Sequence, residues 1–112
     1  MRGSYLDRDA AEGAAELLKV YAQPQRLMIL SCLLGGPRVV SDIEACTGIG
    51  QPALSQQLAT LRRAGLVTCE RESRQVRYAL STDQVCTCMA HLQDMFAPQV
   101  AGKAVRGVSR RV

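Results

Sequence analysis

The chain has no tryptophan, a single phenylalanine, three tyrosines and a single histidine. A core built from it must therefore be aliphatic. The lone histidine stands beside no nucleophile or base constellation, and there is no phosphate loop or carboxylate pair, so the chain reads as no enzyme. No apolar run approaches the roughly 18 residues that span a bilayer, which excludes a membrane partner. The N-terminal Met-Arg-Gly-Ser-Tyr-Leu-Asp-Arg-Asp lacks the apolar stretch of a secretory signal, so the expected compartment is cytoplasmic. Acidic residues are missing beyond Asp94, where Lys103, Arg106, Arg110 and Arg111 leave a basic end on an otherwise neutral body. The five cysteines, Cys32, Cys46, Cys69, Cys86 and Cys88, are odd in number. Without a signal, that argues against a disulfide framework and for reduced thiols, buried or used in sensing.

What is present fits one domain: 112 residues, of which 47% are hydrophobic. Asp9 is expected to cap a helix running to about Ala22, with an apolar stripe of Ala11, Ala14, Ala15, Leu17, Leu18 and Tyr21. Pro24 lies in the first turn of a second helix, Gln25 to Leu34, apolar nearly all round and so expected to be fully buried. Gly35-Gly36-Pro37 stops it. Ser41, with Glu44 three residues on, has the form of a capping box for a short helix, Asp42 to Thr47. Gly48-Ile49-Gly50 makes a turn, and Pro52 opens the next helix, with Leu54, Leu58 and Leu61 on its inner face. Residues 66–71 and 75–80 alternate as strands around Glu72-Ser73-Arg74. Thr82 or Asp83 caps a last helix to about Ala97, stopped by Pro98. Its Val85, Cys88, Met89, Leu92, Met95 and Phe96 form a heptad-like seam that suits a partner. The expected class is mainly α with a small β-hairpin, a winged helix-turn-helix in the order α-α-α-α-β-β-α. Residues 1–98 are read as its DNA-binding and dimerisation domain, and 99–112 as a basic, disordered tail.

The helix opened by Pro52 carries the chemistry. Gln51, Pro52, Ala53, Ser55 and Gln56 lie on its N-terminal half, away from the leucines. Glutamine can pair bidentately with adenine, serine can donate or accept, and Pro52 and Ala53 can pack on a thymine methyl. Downstream, residues 62–77 hold five arginines against two glutamates. Arg62, Arg74 and Arg77 suit phosphate or minor-groove contacts, which position a protein without specifying sequence. An arginine cluster alone reads first as a solvated surface; beside a reading helix it points to duplex DNA. Arg26 either contacts phosphate or caps a neighbouring helix.

The blocks Pro24-Gln25-Arg26-Leu27, Ser55-Gln56-Gln57-Leu58 and Gly65-Leu66-Val67, continuing to Arg77-Tyr78-Ala79-Leu80, resemble the ArsR/SmtB family of bacterial repressors over residues 10–97 or so. The resemblance implies a homodimer through the first and last helices, a palindromic double-stranded operator, and release by an inducer or by oxidation. It is strongest toward the thiol-based regulators of biofilm and sulfide response.

The effector sites that the resemblance would supply are not matched. The arsenite-type Cys-x-Cys falls on Val39 and Ser41. The zinc-type set falls on Thr82, Gln84, Met95 and Pro98, and His91 with Asp94 is out of register. The dithiol redox pair falls on Ser31 and Ala97; Cys32 is one residue away, turned about 100° around the helix. What remains is Cys86-x-Cys88, with Cys32 as a third thiol. On a regular helix Cys86 and Cys88 point about 200° apart, so joint chelation needs local unwinding or a second chain. Three thiolates could hold arsenite, zinc or cadmium, or an oxidant could cross-link two. No cofactor is otherwise expected. The readings are a repressor released by a small thiol-reactive inducer, a repressor of the same fold that senses nothing through cysteine, and a protein-interaction module that has lost DNA binding.

Overall fold

Asp7, and not Asp9, begins the first helix. The computed structural model describes residues 5–97. In it the Asp7 carboxylate accepts a hydrogen bond from the Ala10 N–H at 2.9 Å and caps α1 (Arg8–Tyr21). Ala10 is the third helical residue, the usual reach of a capping side chain. Asp9 sits one residue inside, where its charge still faces the positive end of the helix. The proposed tail, residues 99–112, and the stop at Pro98 lie outside the described residues.

Of the α1 stripe only Tyr21 is buried, while Leu17 and Leu18 remain 40% and 53% exposed. Helix α2 (Pro24–Leu34) opens on its proline, and the Gln23 side chain accepts from the Arg26 N–H. It buries Ile29, Leu30, Cys32 and Leu33 but leaves Met28 exposed, so burial is less complete than its composition suggests.

The expected Ser41 cap is replaced by a strand. Arg38–Val39 form a short β1 that pairs with the hairpin, and the chain passes straight from it into α3 (Val40–Thr47). Ser41 is thus already helical, and Val39 occupies the cap position without a side-chain hydrogen bond. Strand pairing fixed the entry to α3 in place of a capping box. Gly48, at φ 76°, then takes the left-handed turn that ends α3, where a side chain would be strained. Thr47 locks this turn: its hydroxyl donates to the Ile43 carbonyl at 2.8 Å and accepts from the Ile49 N–H at 3.2 Å.

Helix α4 (Ala53–Arg63) follows, with Pro52 at its cap rather than inside it. Its Leu54, Leu58 and Leu61 meet Ile29 and Leu30 of α2 and Ile43 of α3 in one buried cluster. Fully burying each such side chain is worth about 1.5–3 kcal/mol. Strands β2 (Val67–Glu72) and β3 (Gln75–Leu80) run antiparallel, with Val67 opposite Leu80 and Glu72 opposite Gln75. Glu72 therefore belongs to the ladder, and only Ser73 and Arg74 form the loop. The sheet order is β1-β3-β2. Ser81 closes its base, donating to Leu66 O from its N–H and to Gly65 O from its hydroxyl.

Helix α5 (Asp83–Phe96) is capped by Thr82, whose hydroxyl accepts from the Val85 N–H. Its seam divides: Val85 and Met89 enter the protomer's own core, while Met95 and Phe96 are 64% and 74% exposed.

Candidate nucleic-acid interface

Leucine spacing sets the orientation of α4. With Leu54, Leu58 and Leu61 inward, Ser55 and Gln56 must point outward, and both are exposed with Gln51 and Pro52; Ala53 is half-buried. The five residues expected to read bases thus share the start of one helix. They differ in freedom. Gln51 Oε1 accepts from the Ser55 N–H at 3.0 Å and from the Ser55 hydroxyl at 2.7 Å. Its carbonyl satisfies an otherwise orphan donor at the helix start, leaving its amide NH₂ to face outward. Gln56 makes no side-chain hydrogen bond among the described residues, so both halves of its amide are available for bidentate contact with a base.

The arginines fall into distinct settings. Arg74 is exposed at the hairpin tip with no ion-pair partner among the described residues. Arg77, on β3, donates from Nε to Glu72 Oε1 at 3.0 Å, which holds it along the wing. Arg62 is exposed at the end of α4, near enough to Tyr78 for its charge to act on that phenol. Burial, with the neighbouring Cys69, pushes the Tyr78 hydroxyl pKa up, and Arg62 opposes the shift. Cys69 faces Tyr78 directly across the β2–β3 ladder.

Arg26 resolves as an internal link. Its Nε donates to Gln57 Oε1 at 2.9 Å and its Nη1 to the Val20 carbonyl at 3.2 Å. Gln57 in turn donates to Gln25 Oε1 at 3.1 Å. One guanidinium thus joins the end of α1, the start of α2 and the middle of α4. Gln57, unlike its exposed neighbours Ser55 and Gln56, is tied into this internal link.

All five cysteines are free thiols. Cys32, Cys86 and Cys88 do not converge: among the described residues no three His, Cys, Asp or Glu side chains gather at a metal-sized site. Cys86 and Cys88 are half-buried on the first turns of α5. Burial, followed by the nearby Cys88 thiol of α5, raises the Tyr21 phenol pKa to about 12. Cys32 is buried, and it lines the same groove as Cys46 of α3. Burial, followed by the nearby Cys46, raises the Cys32 pKa to about 12. Cys46 itself is exposed. Sequence reasoning did not pair these two. The available signal was helical spacing, since Cys46 follows the buried Ile43 by one turn and lies beside it on α3.

Where the redox pair of the resembled branch would stand, the Ser31 hydroxyl donates to Gln93 Oε1, joining α2 to α5 without sulfur. Beside it lies an open groove of about 1000 Å³ between α2 and α5, lined by Leu27, Met28, Met89, Leu92 and Phe96 and by both Cys32 and Cys46.

Comparison with known proteins adds an independent line. Residues 23–68 match the family profile described as bacterial regulatory protein, arsR family. The chain is 41% identical over 95 residues to the biofilm growth-associated repressor of Agrobacterium fabrum, an alignment covering 84% of this chain and 80% of the relative. The crystal structure of the transcriptional repressor BigR from Xylella fastidiosa superposes with a TM-score of 0.75 at 37% identity, covering 81% of this chain and 93% of that one. The solution structure of the homodimeric winged helix-turn-helix domain of Mb0332 from Mycobacterium bovis matches at a TM-score of 0.68 and 32% identity, covering 83% of this chain and 88% of that one.

Proposed function

Because the chain belongs to the ArsR/SmtB family of winged helix-turn-helix transcriptional repressors, and is not an enzyme, we propose that it binds a palindromic operator as a homodimer and is released when a thiol-reactive inducer acts on its cysteines. Helix α4 enters the major groove by its N-terminal half, Gln51, Pro52, Ala53, Ser55 and Gln56 meet base edges, and Arg62, Arg74 and Arg77 hold the phosphates. The observation that carries this reading is the pair Ser55 and Gln56, exposed side by side on a helix whose other face is locked into the core.

Dimerisation through α1 and α5 is supported by the apolar side chains these helices leave uncovered, Leu17 and Leu18 on one and Met95 and Phe96 on the other. A two-fold dimer presents two α4 helices about one DNA turn apart, which is why the operator is expected to be palindromic. No helix among the described residues is long and apolar enough to cross a membrane; the operating compartment is the cytoplasm, where thiols stay reduced.

Inducer action is placed on Cys86, Cys88 and Cys32. Cys86 and Cys88 stand at the start of α5, and Cys88 lies near Tyr21 of α1. A metalloid or metal ion such as arsenite, zinc or cadmium would need a ligand from a second chain, because the described residues of one protomer do not gather three. A fluorescence-anisotropy titration on promoter DNA, repeated with arsenite, zinc, cadmium, peroxide and a persulfide donor, tests the reading. Release by one of them, abolished in Cys86→Ser or Cys88→Ser, supports it. Tight binding indifferent to all five returns these cysteines to packing.

A further inference from the structure

Resting on the operator-binding reading above, we propose that Arg26 and Gln57 are positioning residues. Together they fix where α4 stands relative to α1, and so set the spacing at which two copies of the chain accept paired half-sites. Neither contacts DNA; both act through Ser55 and Gln56.

The link is built from directional contacts. Val20 lies in the last turn of α1, and the residue four places on is Pro24, which has no N–H to offer its carbonyl. Arg26 supplies the missing donor, from Nη1 at 3.2 Å. Its positive charge also suits the negative end of the helix dipole. The same guanidinium donates from Nε to Gln57 Oε1 at 2.9 Å, and Gln57 Nε2 donates to Gln25 Oε1 at 3.1 Å. Arg26 and Gln57 are both half-buried, and Arg26 has no ion-pair partner among the described residues. Its charge is therefore aimed at two carbonyl oxygens, and hydrogen bonds from an ionised donor are the stronger kind.

Apolar packing alone does not give this precision. Leu54, Leu58 and Leu61 fix the inward face of α4, but the hydrophobic effect is non-directional and restrains slide and tilt only weakly. Contact with a base edge needs side chains held within about 0.5 Å and 10–20° of the productive geometry. Gln57 directly follows Ser55 and Gln56 in the chain, so a restraint on Gln57 is a restraint on both. The far end of the link, Val20, adjoins the buried Tyr21 at the end of a helix assigned above to dimerisation. A two-fold pair of chains holds its two α4 helices at a separation set by whatever joins each to the dimer face. Arg26 and Gln57 are the polar part of that path.

Direct base reading by Gln57 is the competing role. Its carbonyl and its amide each already have a protein partner, which disfavours that role. The two roles also differ in what they change. A base-reading residue alters preference for base identity, whereas a positioning residue alters tolerance to half-site spacing. One inserted base pair turns one half-site by about 35° and moves it by about 3.4 Å relative to the other.

The test is anisotropy of the full chain on three labelled duplexes: the palindromic promoter duplex, the same duplex with one base pair inserted at its centre, and a scrambled one. Wild type, Arg26→Met, Gln57→Met and the double variant are compared, each checked for folding by circular dichroism. Wild type is expected to lose about tenfold in affinity on insertion. Each single variant should bind the palindrome about tenfold more weakly, the double variant no more weakly than either, as for residues acting as one unit. In all three variants the palindrome and the inserted duplex should then bind within about twofold of each other, with scrambled-duplex affinity and salt slope unchanged. A wild-type insertion penalty in both single variants overturns the proposal, as do additive losses or a salt slope lowered by a full charge in Arg26→Met. Loss confined to Gln57→Met also overturns it and makes Gln57 a base reader. If Arg26→Met does not fold, Gln57→Met, which removes no charge, carries the spacing test. Wild type with no preference for the palindrome removes the operator reading, and this proposal with it; variants that keep wild-type spacing dependence remove this proposal alone.

Discussion

The Gln51 side-chain carbonyl accepts both the backbone N–H and the hydroxyl of Ser55, four residues later. The start of α4, the proposed recognition helix, is therefore stapled by one of the residues proposed to read bases. Gln51→Ala should cost about 0.5–2 kcal/mol of stability, the range for loss of a helix cap, and be visible in thermal unfolding. Gln56→Ala, which removes no internal hydrogen bond, should leave the melting temperature unchanged. It should cost about 1–3 kcal/mol of operator affinity and relax preference at one base position.

Arg74 and Arg77 should separate under salt. Arg74→Ala is expected to weaken binding to all DNA sequences alike and to lower the slope of log affinity against log salt by about 1. Glu72→Gln frees the Arg77 guanidinium from its 3.0 Å ion pair and should strengthen nonspecific binding. An anisotropy titration series in salt measures both.

Arg26 should behave as a structural residue. Arg26→Met leaves the Val20 carbonyl and Gln57 without their donor, at a cost of about 1–3 kcal/mol in denaturant unfolding. The salt slope should not move; a slope reduced by a full charge would instead make Arg26 a phosphate ligand.

Stability should fall at alkaline pH. Folded Cys32 and Tyr21 keep their protons to about pH 12, whereas ordinary thiols and phenols ionise near 9.0 and 10.0. Above those values the unfolded chain binds fewer protons than the folded one, so unfolding free energy declines. The stabilisation is complete below about pH 9 and is lost as pH rises toward 12. Denaturant melts across that window should show the decline, and Cys32→Ala or Tyr21→Phe should each flatten it.

The sequence was legible where periodicity and turn chemistry agree. The leucine spacing of α4, the hairpin alternation and the Thr82 cap each predict a local structure that tertiary packing reinforces. It was less legible where two segments compete for one stretch of chain. Ser41 and Glu44 have the form of a capping box, yet pairing of Arg38 and Val39 with β3 starts the helix earlier. Relations across the fold left little trace. Gln57 stands beside two exposed polar residues and reads like them, and only its contact with Arg26 makes it a strut. The exposure of Ser55 and Gln56 was legible because they occupy positions that a leucine-anchored helix must turn outward.

The most direct measurement is anisotropy of a labelled palindromic promoter duplex against the reduced protein, with a scrambled duplex beside it. The account predicts saturation at two chains per duplex, a preference for the palindrome of at least about a thousandfold, and collapse of that preference in the Ser55→Ala/Gln56→Ala double variant. Equal affinity for both duplexes, or a preference that survives the double variant, would contradict it.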